Sequence, residues 1–513
     1  MKKKILKISR YTHKYLGIIL ILFFGIMSIT GILLNHPQNI ENISVPKELI
    51  PDTYIPNNWN RSSLKGAIQT DSLKWIIYGR QGVFHYNKSN KKLQPYMAGD
   101  YPTSAWGKRC NDILYIPEKD ILISATNQGL FKYDNNQWNS IKLPTHDNEI
   151  IRITKSKQHI YTLTKSHIYQ SNYQSNTLNF KKITLLKKSQ QANYSLISLF
   201  FELHDGSIWG MTGRIVWDIA SIILFFLSIS AFYIWYYPKK WKRNRKKKKK
   251  LDGEKKARSF YLKYHKKIGW YSLPLSIIIT ITGMFLTPIF MMLIIHIDLH
   301  GNTFHLLKKE NPWHDQIRNG YFDNKNEKLL LDCKDGVWYG NPKDHKSPFE
   351  KFDIPIPIFG MGTTVFTQKD NGNWLVGSFS GLWEWNPISN RTKPILKVPK
   401  QKKPGRPAST FVTSYVKLPD GKNYIFGHYK GLCDTDGKTL SKVFPMPDIV
   451  KADVKLPLWN FLFEIHNGRI FRSIIGPFYI LIVPLLGLLS CFMLISGTIE
   501  YILTRKRKKR RRK

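Results

Sequence analysis

The stretch HKYLG at residues 13–17 opens an apolar run that ends in ITGILLNH at 29–36, and a near-copy, HKKIG at 265–269, opens another run 252 residues later. The copy continues with ITG at 281–283, at the same offset from its counterpart at 29–31. Two matches at one offset indicate that an apolar helix and its borders are duplicated in this chain.

A second repeated box lies ahead of two further apolar runs. FELHDG at 201–206 is echoed by FEIHNG at 463–468, at an offset of 262 residues. Each half of the chain therefore contains an apolar run, a long polar segment, this box and a second apolar run. We interpret the chain as a tandem duplication of helix, outside domain and helix.

Four apolar runs are long enough to cross a bilayer, whose hydrocarbon core requires about 20 apolar residues in a helix. A cleaved signal peptide is the alternative for the first run, but the run is too long and no small-residue cleavage site follows it. We therefore predict four membrane spans. The runs cover residues 14–34, 215–237, 268–295 and 474–503.

Basic residues indicate how these runs are oriented. The chain has 79 Lys and Arg residues against 35 Asp and Glu, a net charge of +44. Of the 79, 31 lie in three blocks, Lys2–Lys14, Lys239–Lys267 and Arg505–Lys513, that border the apolar runs. Because basic residues beside a span stay in the cytoplasm, both termini and the middle loop are predicted inside and the two long polar segments outside. Topology thus explains the basic blocks, and no nucleic-acid partner is expected.

The outside segments carry a shorter repeat in which a β-prone run is followed by Gly, an aromatic or aliphatic pair, and Tyr or Trp. Successive copies within a half lie 45 to 50 residues apart, which is the spacing of β-propeller blades. At least three blades per half are predicted. Two halves closing into one ring would leave no exposed sheet edge between them, and two separate small β domains are the alternative. The copies begin at Gly82, Gly129, Gly336, Gly381 and Gly431.

The predicted fold class is membrane α-helical, with four transmembrane helices that arise from a tandem duplication of two. The fold also includes a periplasmic all-β, propeller-like domain, which is split between the two halves of the chain. The predicted order is an N-terminus with the first span (1–36), the first β half (37–197), a helix with the second span (198–238), a basic cytoplasmic loop (239–264), the third span (265–297), the second β half (298–460), a helix with the fourth span (461–504) and a basic tail (505–513).

Histidines recur at both ends of the apolar runs, where ionisable side chains are costly and usually functional. One duplicated pair, His13 and His265, opens the first and third runs, and the other, His204 and His466, stands at the opposite ends. Two imidazoles from facing helices are a common way to hold a haem iron. The pattern therefore predicts two bis-histidine haem b groups. Interfacial histidines that extend to lipid headgroups are the alternative.

Further residues are candidates for the same sites. Gly17 and Gly269 follow the first histidine pair by four residues, on the same helix face, where they leave room for a flat ring. His36 ends the first run and is a candidate for the outer site or a helix cap. His296 and His300, spaced i, i+4, could hold a metal on one helix face, but an exposed helix end is the preferred interpretation. Glu202 and Glu464 could orient the adjacent ligands or act as ordinary helix caps. Cys110 could form a disulfide with Cys333 or Cys433.

The H-K-x-L-G start, the T-G-I-L-L-N-H end, the E-L-H-D-G-S-I-W-G-x-x-G-R box and Ser496-Gly497 resemble the PepSY-associated transmembrane family of bacterial inner-membrane proteins. That family includes di-haem ferric-siderophore reductases. The resemblance covers the four spans and their borders and implies haem ligation by His13, His204, His265 and His466. The chain departs from the family in its propeller-like outside segments and in Ser230-Ala231, where Ser-Gly is usual.

The resemblance implies an inner-membrane b-type cytochrome that acts as a ferric-siderophore reductase. Electrons from a membrane quinol or a cytoplasmic flavoprotein would pass through two haems to a ferric siderophore or other ferric chelate in the periplasm, releasing Fe(II). The donor is expected to be a separate molecule, because no G-x-G-x-x-G fingerprint occurs at a strand-to-helix turn. The alternative, from a different class, is a membrane-anchored propeller that senses or binds a ligand without redox chemistry.

Overall fold

The computed structural model describes residues 2–512 apart from 145–146, 176, 189–193, 247–251, 296, 300–310, 357, 359–360 and 397–409. The chain forms two compact units. The helical unit comprises Met1–Glu41, Gln191–Lys308 and Leu458–Lys513, and the β unit comprises Asn42–Gln190 and Lys309–Pro457. Each unit therefore draws on both halves of the duplication.

The α-helices are long where the sequence is apolar and short beside the repeated boxes. Short 3-10 turns at Ser207–Trp209, Arg469–Phe471 and Gly476–Leu481 connect some of them. The helices are α1 (Lys2–Asn35), α2 (Pro37–Ile40), α3 (Leu196–Asp205), α4 (Gly210–Lys246), α5 (Asp252–Tyr271), α6 (Leu273–Phe285), α7 (Pro288–Ile294), α8 (Asp448–Ala452, in the β unit), α9 (Leu458–His466), α10 (Arg472–Ile475) and α11 (Ile482–Arg512).

Among the described residues of the helical unit, three stretches are long and apolar enough to cross a membrane: Lys2–Asn35, Ser207–Arg245 and Arg469–Arg505. A fourth span exists only if α5 and α6, which meet at a bend of 66°, are counted as one. Pro274 lies in the first turn of α6, and proline lacks the N–H that would continue the hydrogen-bond ladder of α5. The expectation of four spans thus becomes three spans and one bent pair.

The predicted basic loop at 239–264 is largely helical in the described residues. Helix α4 continues to Lys246, and α5 already begins at Asp252. Lys, Arg and Glu are good helix formers, so the helices extend beyond the ends of the apolar runs. Sequence hydropathy locates the apolar part of these helices and not their ends.

Contacts in the helical unit repeatedly join the two halves of the duplication. Helix α1 packs against α4 from its own half and against α9 and α11 from the other, and α3 packs against α6. A short antiparallel pair connects β14 (Tyr194–Ser195), just before α3, to β15 (Asp298–Leu299) of the second half. The halves therefore form one helical unit.

The β unit contains six antiparallel sheets among its described residues, three from each half. A short pair, β1 (Ser44–Val45) with β27 (Leu456–Pro457), joins the beginning and end of the unit. The sheets are sheet 1 (β2 Gly66–Gln69, β3 Lys74–Gly79, β4 Gly82–Asn87, β5 Lys92–Pro95), sheet 2 (β6 Cys110–Ile116, β7 Ile121–Thr126, β8 Gly129–Asp134, β9 Gln137–Ile141), sheet 3 (β10 Arg152–Lys155, β11 His159–Leu163, β12 Ile168–Asn172, β13 Lys181–Ile183), sheet 4 (β16 Ile317–Asp323, β17 Lys328–Cys333, β18 Gly336–Gly340, β19 Glu350–Phe352), sheet 5 (β20 Val365–Gln368, β21 Trp374–Ser378, β22 Gly381–Asn386, β23 Arg391–Pro394) and sheet 6 (β24 Val412–Lys417, β25 Asn423–Gly427, β26 Gly431–Cys433).

The six sheets are arranged in a propeller-like ring. The first strand of each sheet contacts the first strand of the next, and β24 of sheet 6 contacts β2 of sheet 1. Ser414 Oγ donates a hydrogen bond to Leu64 O across this last junction at 3.0 Å. Of the two arrangements that the sequence left open, the structure thus has both halves in one unit.

Large apolar side chains fill the two junctions where the halves meet. Between sheets 3 and 4, the ring of Tyr161 stacks on Phe322 with centroids 5.2 Å apart, within a cluster that also holds Trp338. Between sheets 1 and 6, Ile77 and Phe426 belong to another buried cluster. Neither half alone would cover these surfaces, so burial of apolar area holds the two halves together.

A left-handed backbone conformation explains the glycine of each short repeat. Gly82, Gly129, Gly336, Gly381 and Gly431 each start the third strand of a sheet, with φ between 70° and 131°. Glycine adopts such φ values without a Cβ clash, which explains why the repeat is visible in the sequence.

The cysteines are free thiols in the structure. Cys110, Cys333 and Cys433 lie in sheets 2, 4 and 6 and are buried. Burial raises the pKa of the Cys110 thiol to about 12. Neither disulfide considered from the sequence is present.

Candidate functional site

Two pairs of histidines come together in the helical unit. His13 of α1 and His265 of α5, which we call the inner pair, have ring centroids 6.2 Å apart and planes at 72°. His204 of α3 and His466 of α9, the outer pair, have centroids 6.2 Å apart and planes at 62°. Each pair joins one histidine from each half of the duplication, and all four side chains are half-buried.

The two pairs lie at different depths along α1. His13 belongs to this helix, and Thr30 of the same helix contacts His466 of the outer pair. At a rise of 1.5 Å per residue, the two positions are about 25 Å apart along the helix axis. This distance is comparable with the ~30 Å hydrocarbon thickness of a bilayer.

The repeated box explains how α3 and α9 present the outer histidines. Both helices end at a glycine in the left-handed conformation, with φ 77° at Gly206 and 74° at Gly468, which glycine adopts at no steric cost. The residue before the glycine then caps the next turn: Asp205 Oδ1 accepts a hydrogen bond from Ser207 N at 2.8 Å. The box is therefore a helix stop that fixes a histidine in the last turn.

Hydrogen bonding fixes the tautomer of His466. Its Nδ1 lies 2.8 Å from Thr30 Oγ1. The Thr30 hydroxyl donates its proton to Ile26 O at 2.7 Å, so its oxygen accepts the bond from His466. Nδ1 then carries the hydrogen, and the lone pair of the neutral ring is on Nε2.

The same arrangement repeats at His204. Its Nδ1 lies 3.2 Å from Thr282 Oγ1, whose hydroxyl donates to Ile278 O at 2.7 Å. Thr30 and Thr282 are the duplicated threonines of the ITG motif. In the sequence these threonines mark the duplication, but their role as hydrogen-bond partners of the histidines was not predicted. The available signal was their identical position in both halves.

The histidines of the inner pair have the same tautomer but different hydrogen-bond partners. His265 Nδ1 lies 2.8 Å from Ser230 Oγ, which donates to Leu227 O at 2.9 Å. His13 Nδ1 lies 3.1 Å from the main-chain oxygen of Met493, which only accepts. With this assignment all four Nδ1 atoms donate, and each Nε2 keeps the lone pair that a neutral imidazole uses when it binds a metal.

The spacing within each pair suits one metal ion between two rings. Metal–nitrogen bonds to imidazole are about 2.0–2.1 Å long, so two rings that share one metal ion have centroids several ångströms apart. The observed separations are 6.2 Å. Among the described residues, no group of three or more His, Cys, Asp or Glu side chains is arranged to hold a metal ion.

Two glycines leave space for the imidazole rings. A Cβ at Gly497 would lie 2.8 Å from His13 Cε1, and one at Gly283 would lie 2.7 Å from His204 Cε1. Both distances are shorter than a Cβ contact allows. At Gly31 the nearest atom is His466 Cε1 at 3.8 Å, an ordinary contact. Gly283 and Gly31 are the duplicated glycines of the ITG motif.

The predicted glycines Gly17 and Gly269 are placed differently. A Cβ at Gly17 would meet no atom within 4 Å, and one at Gly269 would meet only Leu227 Cδ2 at 3.7 Å. Neither approaches a histidine ring. Their role beside a flat ring stays a prediction.

His36 lies against a carboxylate. Its Nε2 is 2.7 Å from Asp218 Oδ2, and Asn35 Nδ2 donates to Asp218 Oδ1 at 3.3 Å. The structure thus pairs His36 with α4 and not with a second histidine.

The remaining residues near the histidine pairs have partners of their own or lie outside the described part of the chain. His296 and His300 lie outside the described residues. Glu464 Oε1 accepts a hydrogen bond from Arg469 at 2.6 Å, while a threonine orients each outer histidine. Glu500 Oε1 accepts a hydrogen bond from Lys266 Nζ at 3.1 Å and forms an ion pair with Arg10 Nε at 3.5 Å. Lys266 belongs to α5 and Arg10 to α1, the two helices that carry the inner pair.

Comparison with known proteins identifies a family and a few solved structures with partial similarity. The family model described as PepSY-associated TM region matches residues 10–506. No protein of curated function matches the chain. Among solved structures, the extracellular domain of a putative one-component system from B. thetaiotaomicron is 9% identical with TM-score 0.35, covering 74% of this chain and 39% of that chain. The WD40 β-propeller domain of Doa1 is 9% identical with TM-score 0.31, covering 73% and 92%. The chain spans about two-fifths of the first of these structures.

Proposed function

The chain belongs to the PepSY-associated TM family, and on this basis we propose that it is a bacterial inner-membrane cytochrome with two haem b groups. In this proposal it passes electrons from a membrane quinol or a cytoplasmic donor to a ferric siderophore or other ferric chelate in the periplasm. Family membership and the apolar helices make it a membrane protein. The redox function is the part of the proposal that goes beyond membership of a membrane-protein family.

The observation that supports this step is the matched geometry of the two histidine pairs. Both have a centroid separation of 6.2 Å, and every Nδ1 donates a hydrogen bond that leaves Nε2 available. Histidines that only extended to lipid headgroups would have no reason to meet in pairs with one tautomer. Four independent hydrogen bonds with the same consequence favour a ligand role.

The residues present fit haem in particular. Haem brings four equatorial ligands of its own and carries one electron at a time. The chain would hold one group with His13 and His265 and the other with His204 and His466. The hydrogen bonds at Nδ1 fix each ring's orientation and raise its basicity as a ligand.

We infer that four spans cross the membrane, with the bent pair α5 and α6 counted as one, and that both termini are cytoplasmic. The three basic blocks support this orientation. The inner pair then belongs to the cytoplasmic side of the membrane, and the outer pair belongs to the periplasmic side. Reporter fusions at both termini and after Lys250 should be cytoplasmic, and those near Asn135 and Asn386 should be periplasmic.

The ferric complex is the substrate in this proposal. The outer pair is the exit for electrons, because Fe(III) held by a bulky chelator stays outside the membrane. Hard oxygen chelators bind Fe(III) better than Fe(II), so reduction releases the metal. Each Fe(III) takes one electron, and the quinol or flavin donor supplies two, so two ferric complexes are reduced for each donor oxidised.

A reduced-minus-oxidised difference spectrum of the purified full-length chain tests the proposal. We expect low-spin b-type bands and two haem b groups per chain by haem extraction. A double variant, His13→Ala with His204→Ala, should lose both components. A sample without Soret absorbance after haem supplementation would refute the cytochrome and leave a membrane-anchored ligand-binding propeller as the function.

A further inference from the structure

Glu500 lies among basic side chains at the inner end of the helical unit. It is the only acidic residue in the sequence of α11, and α1 contains none. Its side chain is 16% exposed, whereas those of Arg10 and Lys266 beside it are 49% and 40% exposed. A charge that is largely withdrawn from water needs charged or hydrogen-bonded partners. Glu500 has such partners on two other helices.

These partners belong to the two helices that carry the inner pair. Glu500 Oε1 accepts a hydrogen bond from Lys266 Nζ of α5 at 3.1 Å and lies 3.5 Å from Arg10 Nε of α1. Lys266 directly follows His265. Arg10 lies three residues before His13, on the same face of α1. One carboxylate of α11 therefore joins both helices within one turn of their histidines, and we call these three charged residues the Glu500 cluster.

The same face of α11 also contacts the ring of His13. The main-chain oxygen of Met493 accepts the hydrogen bond from His13 Nδ1 at 3.1 Å. A Cβ at Gly497 would lie 2.8 Å from the His13 ring. Glu500 follows Gly497 by three residues, which is roughly 4.5 Å along the helix axis. The carboxylate is thus less than one helical turn from the place where the ring meets α11.

Neighbouring contacts fix α11 against both helices. On the side of α1, Ser9 Oγ donates a hydrogen bond to Ser496 O at 2.6 Å. On the side of α5, Trp270 stacks on Tyr501 with ring centroids 4.4 Å apart and planes at 14°. An ion pair between mobile surface side chains contributes little, but Glu500 extends from a helix that is packed on both sides.

The charge of Glu500 also bears on a haem in the inner pair. Ferric haem carries one positive charge more than ferrous haem, so a nearby carboxylate favours the ferric form and lowers the midpoint potential. Arg10 and Lys266 act in the opposite direction. Because Glu500 is the least exposed of the three, solvent and salt screen its charge least.

We propose that Glu500 is a positioning residue for the inner pair. It holds α1 and α5 together beside their histidines, and its charge keeps the midpoint potential of the inner haem below the value that the surrounding cations would set. The inference rests on the proposed function for the haem. A low potential at the inner haem favours transfer of each electron to the outer haem, so the Glu500 cluster supports the outward direction.

Redox titration of the purified full-length chain tests the role of the charge. Glu500→Gln keeps the side-chain length and should shift the inner component about tenfold toward the ferrous form, which is ~59 mV for one electron. Glu500→Asp keeps the charge and should stay within about twofold of wild type. Lys266→Met removes a positive charge and should shift the same component in the opposite direction. A loss of packing alone would not give opposite signs for Glu500→Gln and Lys266→Met.

Glu254→Gln is the matched control for Glu500→Gln. Glu254 belongs to α5, as His265 does, and its side chain is also 16% exposed. It pairs with Lys240 at 3.3 Å and accepts a hydrogen bond from Asn244 at 2.6 Å. It precedes His265 by eleven residues, about 16 Å along the helix. Its substitution should leave the potentials of both components unchanged.

Amide hydrogen exchange tests the joining of the helices and does not require haem. Residues 5–14 at the inner end of α1 should exchange at least roughly threefold faster in Glu500→Gln than in wild type, because Arg10 loses its ionic link to α11. Glu254 pairs with residues of α4, so Glu254→Gln should leave this exchange unchanged.

The two measurements separate this proposal from the cytochrome. A haem-free sample in which Glu500→Gln speeds exchange in α1 would refute the cytochrome and keep the positioning role, whereas unchanged exchange there would refute both. In a haem-loaded sample, an inner potential or an exchange rate that does not respond to Glu500→Gln would overturn the proposal and keep the cytochrome. Equal shifts in Glu500→Gln and Glu254→Gln would also overturn it.

Discussion

The outer and inner histidine pairs have equal spacing but different supports. At the outer pair, the two halves contribute matching threonines, Thr30 and Thr282, and each contacts the histidine of the other half. At the inner pair, one histidine contacts the hydroxyl of Ser230 and the other the main-chain carbonyl of Met493. The comparison teaches that spacing and tautomer are retained while the supporting atom is free to change. The outer pair is symmetric in its side chains, and the inner pair is not.

Removing a ligand should have the largest effect. A bis-imidazole site cannot stay low-spin with one ligand, so His13→Ala and His265→Ala should abolish the same spectral component. His204→Ala and His466→Ala should abolish the other. Low-temperature difference spectra and electron paramagnetic resonance of the four variants measure this.

His36→Ala is the matched control for these variants, because His36 contacts Asp218 and no second histidine. It should retain both components. If His13→Ala and His265→Ala removed different components, the pairing across the duplication would be wrong even though the protein would remain a cytochrome.

The next largest effect concerns the direction of electron flow. Loss of the inner pair should abolish reduction by the physiological donor but leave the outer component reducible by dithionite and oxidisable by a ferric chelate. Loss of the outer pair should leave the inner component reducible by the donor yet at least tenfold slower to reoxidise with a bulky, membrane-impermeant ferric complex. Stopped-flow reoxidation measures both. Reoxidation of the outer-pair variant at the wild-type rate would contradict the outward route.

The supporting atoms should matter less than the ligands, and differently at the two ends. Thr30→Val and Thr282→Val should each weaken haem retention roughly 10- to 100-fold at the outer site, as losses of ligand-orienting hydrogen bonds do. Ser230→Ala should do the same at the inner site. Met493→Leu should have no effect, because His13 contacts the main-chain oxygen. Haem transfer to apomyoglobin measures retention.

A purely structural role for Thr30 would produce a different set of results. Thr30→Ser keeps the acceptor oxygen and should restore both retention and the midpoint potential, whereas Thr30→Val should shift the potential of the outer component alone. A potential that is unchanged in Thr30→Val would remove the argument that this hydrogen bond tunes the ligand.

Much of the fold was predictable because the duplication repeats its signals. The membrane protein, its family and the propeller-like spacing followed from apolar length, the histidine boxes and the glycine of each repeat. The bend at Pro274 and the helical ends of α4 and α5 were not predictable, since hydropathy reports which segments are apolar and not where a helix stops. Each half contributes three sheets to the described β unit, in line with the three or more blades per half expected from the repeat, although sheet 3 lacks the glycine and sheet 6 has three strands.

The candidate site was predictable in its histidines but not in its supports. Matching offsets selected the four histidines, and the structure brings them together in the predicted pairs, while haem ligation stays a prediction. The role of Thr30 was hidden, because its partner His466 is 436 residues away. Likewise, no spacing rule indicates that Gly497 borders His13. Contacts across the duplication depend on packing that a linear repeat does not specify.

The smallest effects should come from the glycines that border the imidazole rings. Substitutions there compare the ring positions at the inner and outer pairs to within tenths of an ångström. Gly497→Ala places a Cβ 2.8 Å from His13 at the inner pair, and Gly283→Ala places one 2.7 Å from His204 at the outer pair. Each ring must then shift, so the affected component should change its potential and lose haem a few-fold faster. Gly31→Ala, whose Cβ would lie 3.8 Å from His466, should leave both components unchanged. Redox titration of the three variants measures this order, and a Gly31→Ala effect as large as that of Gly283→Ala would show that the ring positions differ from those described.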